Sequence, residues 1–158
     1  MIMLTDILLL LAAANSIPAA EEPVDPYEMS DANAGAEPNA GDRLFRAFHG
    51  HEGIDRVVAE LIALSVADPR ISETFKGHDL VRLDRTLGEQ FCYLLGGGCT
   101  YSGRDMKSAH KDMGLQTTDL TALIENLQRA MDKEQVPFRA QLKLLGKLAP
   151  MRRDTVER

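Results

Sequence analysis

The sequence predicts an all-α domain behind an unstructured N-terminal extension, and three observations carry that prediction. From about Asp42 onward, large apolar residues recur at spacings of three and four, the period of a helix face, with no alternating stretch long enough for a strand. Residues 17–42 are rich in Ala, Pro, Gly, Asn, Asp and Glu and nearly free of large apolar side chains, the composition of a disordered acidic linker. A chain of 158 residues, 44% hydrophobic and 27% charged, is the size of one soluble domain with tail to spare. The expected division is a candidate signal segment at 1–16, the linker at 17–42, the helical domain at 43–154 and a C-terminal tail at 155–158.

The run Met1–Ser16 is apolar enough for the core of a secretory signal and too short for a transmembrane helix of about 20 residues. Ala14 and Ser16 offer a cleavage site, but no Lys or Arg precedes the run and Asp6 interrupts it. Cleavage would give a periplasmic or secreted protein with no membrane span in its mature chain. Translation from Met29 would omit the run and leave a cytoplasmic protein, and the sequence leaves both readings open.

Within the domain, Ile54, Val57, Val58, Leu61 and Ser65 share one helical face, and Asp68-Pro69 then caps and opens a short helix that closes at Phe75 and Gly77. Leu80, Leu83, Leu87, Phe91, Leu94 and Leu95 form a longer stripe that stops at Gly96-Gly97-Gly98. Tyr101–Gly114 has too few apolar residues for a long helix and fits a short turn bearing His110. Leu120, Leu123, Ile124, Leu127 and Met131 make the next stripe. Val136-Pro137 starts a last helix whose inward face is expected to be Leu142, Leu145 and Leu148.

Residues 1–42 hold eight acids and no Lys or Arg, so of the net −6 the remainder carries 18 basic against 16 acidic residues and is near neutral. It has no basic stripe with interleaved aromatics, which removes support for nucleic-acid binding. Cys92 and Cys99 make no disulfide framework, and a His/Cys metal cluster would need more ligands at closer spacing. A bridge across the Gly-Gly-Gly turn is open to them in an oxidising compartment, while Cys92 in Gln-Phe-Cys-Tyr reads more simply as a buried apolar residue.

A haem needs an apolar slot, one axial nitrogen, and cations or hydroxyls at its rim for the propionates. His110 offers the nitrogen. Leu83, Leu87 and Phe91 supply one wall, the Met106/His110 turn another, and Leu115, Leu120, Leu123 and Leu127 the far side. Tyr101, Arg104 and Lys107 are suited to the rim. Leucine stripes of this kind equally describe a plain core.

From about Leu44 to Asp154 the chain resembles a group I truncated haemoglobin, a shortened globin built as a two-over-two helical sandwich. The resemblance rests on Gly50-His-Glu-Gly53-Ile54, Ala67-Asp68-Pro69-Arg70, Phe75-Lys-Gly77, Leu95-Gly-Gly97, Tyr101-Ser-Gly103-Arg-Asp-Met106 and Ala109-His110. It continues through Met113-Gly114-Leu115 and Val136-Pro137 to Leu148-Ala149-Pro150-Met-Arg152. It implies haem b (iron protoporphyrin IX) with His110 as proximal iron ligand. It further implies Phe75 packing on the haem, Tyr101 and Met106 as haem contacts, and Phe91 along a gas-access route. The ligands implied are O2, NO or CO, for oxygen transport, sensing or NO detoxification, and NO dioxygenation would need an unidentified outside electron donor.

Many group I members carry a Tyr on the helix facing the haem and Gln or His on the next. The corresponding residues here are Ile62, Leu83, Thr86 and Leu87, an apolar distal face with the Thr86 hydroxyl as its one nearby donor. Thr86 also stands where some relatives carry a second, internal His ligand. His78 is expected at a helix start near the haem edge, and His49 and His51 at the first turn, where His49 replaces a Gly common in relatives. A hydrogen bond is worth about 1 kcal/mol and a network more, so the missing donors imply O2 release faster by roughly tenfold or beyond. Peroxidase-like chemistry would need a polar acid-base pair, and none is visible. The competing reading is an all-helical interaction module that has lost haem.

Overall fold

The computed structural model describes residues 20–157; the candidate signal segment lies outside them. Among these residues the regular elements are all helical: α1 Arg43–Ala47, α2 Gly50–Ala67, α3 Ser72–Phe75, α4 Leu80–Leu94, α5 Met106–Ala109, α6 Thr117–Lys133, α7 Phe138–Leu148 and α8 Arg152–Thr155, with short 3-10 turns at Asp31–Ala34 and Ala149–Met151. None of them is long and apolar enough to cross a membrane. The helix ends follow local chemistry. Asp79 caps α4 by accepting the Arg82 N–H at 3.0 Å, Asp105 caps α5 through Ser108 N–H at 3.0 Å, and Gln116 and Asp119 form a capping box at α6. Gly96, at φ +84°, ends α4 in the left-handed region.

Helix α2 is the centre of the sandwich. Ile54, Val57, Val58, Leu61 and Ser65 are all buried on it, and α4 and α6 pack principally against it. With Phe48, Phe91, Leu94, Leu95, Met131 and Leu144 they form the core. The entry to α2 is tight: His49 takes φ 64°, and a Cβ on Gly53 would lie 1.9 Å from the Phe48 carbonyl oxygen. Glycine at 53 is therefore a requirement of close approach. The predicted turn survives the histidine because His49 Nδ1 donates to Glu134 Oε1 at 2.8 Å, a contact a glycine could not make.

Glu134 also accepts from Arg56 Nε and Nη2, at 2.8 and 2.7 Å, tying the end of α6 to α2. The Arg56 guanidinium above all, then His49, holds its carboxyl down to about 2. A carboxylate with a depressed folded-state pKa contributes fully above its ordinary value of 4.5 and loses that contribution as pH falls toward about 2. Glu134→Gln is expected to lower stability at pH 7 by under about 1 kcal/mol, because its partners are half in solvent, and to flatten the acid limb over that window. Urea midpoints between pH 6 and pH 2 measure both effects.

Two expectations are corrected. In α7 the buried residues are Ala140, Gln141 and Leu144, with Leu145 and Leu148 half-buried, while Leu142 is 49% exposed. The helix packs through Ala140, Gln141 and Leu144, and at 3.6 residues per turn this puts 142 on the opposite side. The second correction concerns residues 20–42, which do not hang free as a disordered linker but run along α4 as a strap. Glu21 pairs with Arg85, Glu22 N–H donates to Asp79, and the Tyr27 hydroxyl donates to Ser102 O at 2.6 Å. Further on, Asp31 accepts from Tyr101 N–H at 2.8 Å, and the fully buried Ala34 accepts from Gln90 Nε2 at 2.9 Å. Asn39 N–H then donates to Leu94 O at 2.9 Å, and Gly96 leaves room for the Gly41 carbonyl. Composition missed this because the strap is held by backbone groups and single polar side chains rather than by its own apolar surface. The tail is also tied down: Glu157 N–H donates to Leu115 O at 2.8 Å.

Candidate functional site

Helix α5 is a single turn, and His110 is its C-cap residue. Its Nδ1 lies 2.7 Å from the Met106 carbonyl oxygen. A carbonyl only accepts, so Nδ1 carries a proton, and the neutral tautomer this contact selects leaves the lone pair on Nε2. No hydrogen bond among the described residues engages that Nε2. The arrangement fixes both the tautomer and the ring plane, which is what a metal-ligating imidazole needs from its surroundings.

The apolar residues that the sequence singles out fall into two groups. Phe75 on α3, Ile62 on α2, Leu83 and Leu87 on α4, Leu115, and Leu120 and Leu123 on α6 are each half-buried. Of these, Ile62, Leu87 and Leu123 pack against the outside of the core, and α4 and α6 each pack chiefly on α2. Phe91, Leu127, Tyr101 and Met106 are 2, 3, 5 and 9% exposed and belong to the continuous core.

The rim differs from expectation. Tyr101 is buried, its hydroxyl donates to Arg104 O at 3.1 Å, and burial pushes its phenol up to about 12. The Arg104 guanidinium stacks over Tyr27, 5.0 Å from the ring centre, and donates to Asp25 O. Both residues serve the strap, so neither is a free rim group. Lys107 is exposed, and with His110, Lys111 and Arg153 and the carboxylates of Asp154 and Glu157 it lines a recess of about 270 Å³. Lys111 and Arg153 were missed by the sequence reading. Lys111 adjoins His110, but Arg153 is brought there only by α8 packing on α5.

Thr86 Oγ1 lies 2.9 Å from Arg82 O and 3.3 Å from Leu83 O, so its one proton is spent on the carbonyls of its own helix. The single distal donor expected from the sequence is thereby withdrawn. His78 is exposed two residues before α4 and donates its N–H to Phe75 O.

Residues 43–157 match the family model of the bacterial-like globins. The chain belongs to that family. This globin is 29% identical over 108 residues to the group 1 truncated hemoglobin GlbN of Mycolicibacterium paratuberculosis, an alignment covering 68% of the chain and 79% of the relative. It is 30% identical over 89 residues to the group 1 truncated hemoglobin of Tetrahymena pyriformis, covering 56% and 74%. The crystal structure of the latter in its Fe(III) form superposes with a TM-score of 0.69 at 25% identity, over 73% of this globin and 98% of that chain. The 2/2 hemoglobin of Synechococcus sp. PCC 7002 shares the fold at a TM-score of 0.68 and 23% identity, covering 73% and 98%. The two-over-two architecture is thus established, and the strap lies ahead of the matched region.

Proposed function

We propose that this globin binds O2, NO or CO reversibly on a haem b held by His110 Nε2. The observation that carries the reading is the His110 Nδ1–Met106 O hydrogen bond, which leaves Nε2 without a partner among the described residues; the half-buried Leu83, Leu87, Leu120 and Leu123 would wall the haem. The donor set fits: an oriented imidazole for the iron, apolar side chains for the macrocycle, and Lys107, Lys111 and Arg153 as cations for the propionates, outnumbering Asp154 and Glu157 in the same recess. When bound, haem supplies an iron with one face open to a diatomic gas.

The chain's own part is to hold that group and keep the other face dry and apolar. Phe75, Leu83, Leu87, Leu115, Leu120 and Leu123 exclude water, and Ile62 stands where a donor would be most useful. With Thr86 committed to its helix, nothing among these side chains donates to the gas, which favours rapid exchange or sensing over tight storage. Transport and NO detoxification fit the same site, the latter with electrons from an outside donor. Cys92 and Cys99 stand in reach of a disulfide, which export to a periplasmic or extracellular compartment would keep oxidised and a cytoplasmic location would keep reduced.

Spectra of the ferric, ferrous and CO-bound protein test the reading. A Soret band with single-histidine coordination is expected; haem-reconstituted protein without one would leave the interaction module as the surviving alternative. Ile62→Tyr is expected to slow O2 dissociation roughly tenfold or more by supplying a donor. An unchanged stopped-flow rate would mean that Ile62 does not face the gas.

A further inference from the structure

A second cluster of ligating side chains lies where the start of α2 meets the end of α4. Cys92, 2% exposed, is on the last turn of α4; Cys99, half-buried, follows the three glycines; their Cα atoms are 5.7 Å apart and they pair as a disulfide. His51, exposed on the first turn of α2, sets its Nδ1 3.8 Å from Cys92 Sγ and 3.9 Å from Cys99 Sγ. All three donor atoms lie within 4.8 Å of one another. The Phe45 ring stands edge-on to the imidazole at 5.0 Å, and position 97 must be glycine, since a Cβ there would lie 2.6 Å from Cys92 Sγ.

We propose that the reduced form of this cluster is a Zn²⁺ site, with the Cys92 and Cys99 thiolates and His51 Nδ1 as ligands and solvent in the fourth position. In a tetrahedral site with Zn–S about 2.3 Å and Zn–N about 2.0 Å, each N···S edge is about 3.6 Å. Both N···S distances in the oxidised protein are within a few tenths of that value, so the imidazole is already placed for a cation between the sulfurs. Only the S···S edge has to open, to about 3.8 Å, and Cys99 sits on the coil after Gly96-Gly97-Gly98, where side-chain rotation and glycine backbone freedom supply the movement.

The chemistry balances with a dithiol reductant. Its two electrons and two protons break the S–S bond to give two Cys thiols, and the reductant leaves as its own disulfide. Zn²⁺ then displaces both thiol protons to solvent, giving a neutral Zn(thiolate)₂ unit completed by a neutral imidazole. The disulfide and the cation exclude each other, so the site is gated by redox state. His51 and Cys92 are 41 positions apart, and no spacing motif announces them.

The test uses full-length, haem-loaded protein titrated with Zn²⁺ alone, oxidised or after a phosphine reductant. One equivalent is expected to bind the reduced form and protect both thiols from alkylation, with none bound by the oxidised form. His51→Ala, an exposed change that leaves the fold intact by circular dichroism, is expected to weaken binding at least tenfold, and Cys99→Ser to remove it. Equal zinc binding by oxidised and reduced protein, by reduced Cys99→Ser, or by His51→Ala would each overturn the proposal, as would failure of the reduced wild type to bind.

Discussion

Replacement of His110 by Ala is expected to strip this globin of stably held haem. The imidazole is the proposed iron ligand, and its Nδ1–H is pinned to Met106 O so that Nε2 stays oriented. Removing an iron ligand costs more than disturbing a group behind it, and the latter alone weakens metal sites by 10–100-fold. Haem transfer to an apoprotein acceptor should therefore accelerate by about a hundredfold or more. Folding should persist, because His110 is only half-buried at the end of a single turn and leaves no core cavity. Added free imidazole should restore the Soret band by occupying the vacated position. A variant with an unchanged spectrum would remove His110 from the iron, and a variant lacking helical circular dichroism would assign it a structural role instead.

Deleting the strap through residue 42 is expected to have the second-largest effect, this time on stability. The docked strap supplies the fully buried Ala34, the acceptor for Gln90 Nε2, and the Asp31 carboxylate on Tyr101 N–H. Gln90 is 4% exposed, so losing its acceptor leaves a buried amide donor short of a partner or opens a path for water beside α4. Together these losses come to roughly 3 kcal/mol, which for a domain of this size lowers the thermal midpoint by about 10 °C. Scanning calorimetry of the apoprotein with and without residues 1–42 checks it, and matching midpoints would mean that the docked strap adds no net stability. Haem retention should weaken in parallel, since α4 carries Leu83 and Leu87 of the proposed haem pocket and Arg85 and Gln90 under the strap.

The parts of this fold legible in the sequence are those specified by local periodicity. Helices α2, α4 and α6 follow from their apolar stripes, and the single turn before His110 follows from the lack of one. The proton on His110 Nδ1 was also foreseeable, because a ligand-ready imidazole on a short helix has a backbone carbonyl one turn back. What escaped depends on partners distant in sequence. Tyr101 and Arg104 look like rim groups until Asp31, Asp25 and Tyr27 are brought against them. Thr86 looks like a distal donor unless its rotamer is known. The outward turn of Leu142 reflects a helix register that its leucines alone do not specify, and Cys99 meets His51 only because α2 and α4 cross.

The direction of the strap along α4 gives the start of translation a mechanical meaning. A chain begun at Met29 would lack Glu21, Glu22 and Tyr27, the groups that reach Arg85, Asp79 and Ser102, yet would keep Asp31, Ala34 and Asn39. Its α4 would be fastened at the Gly96 end and released at the Asp79 end, beside Leu83 and Leu87. Two initiation sites on one message would thus yield two globins with the same pocket residues and differently braced walls.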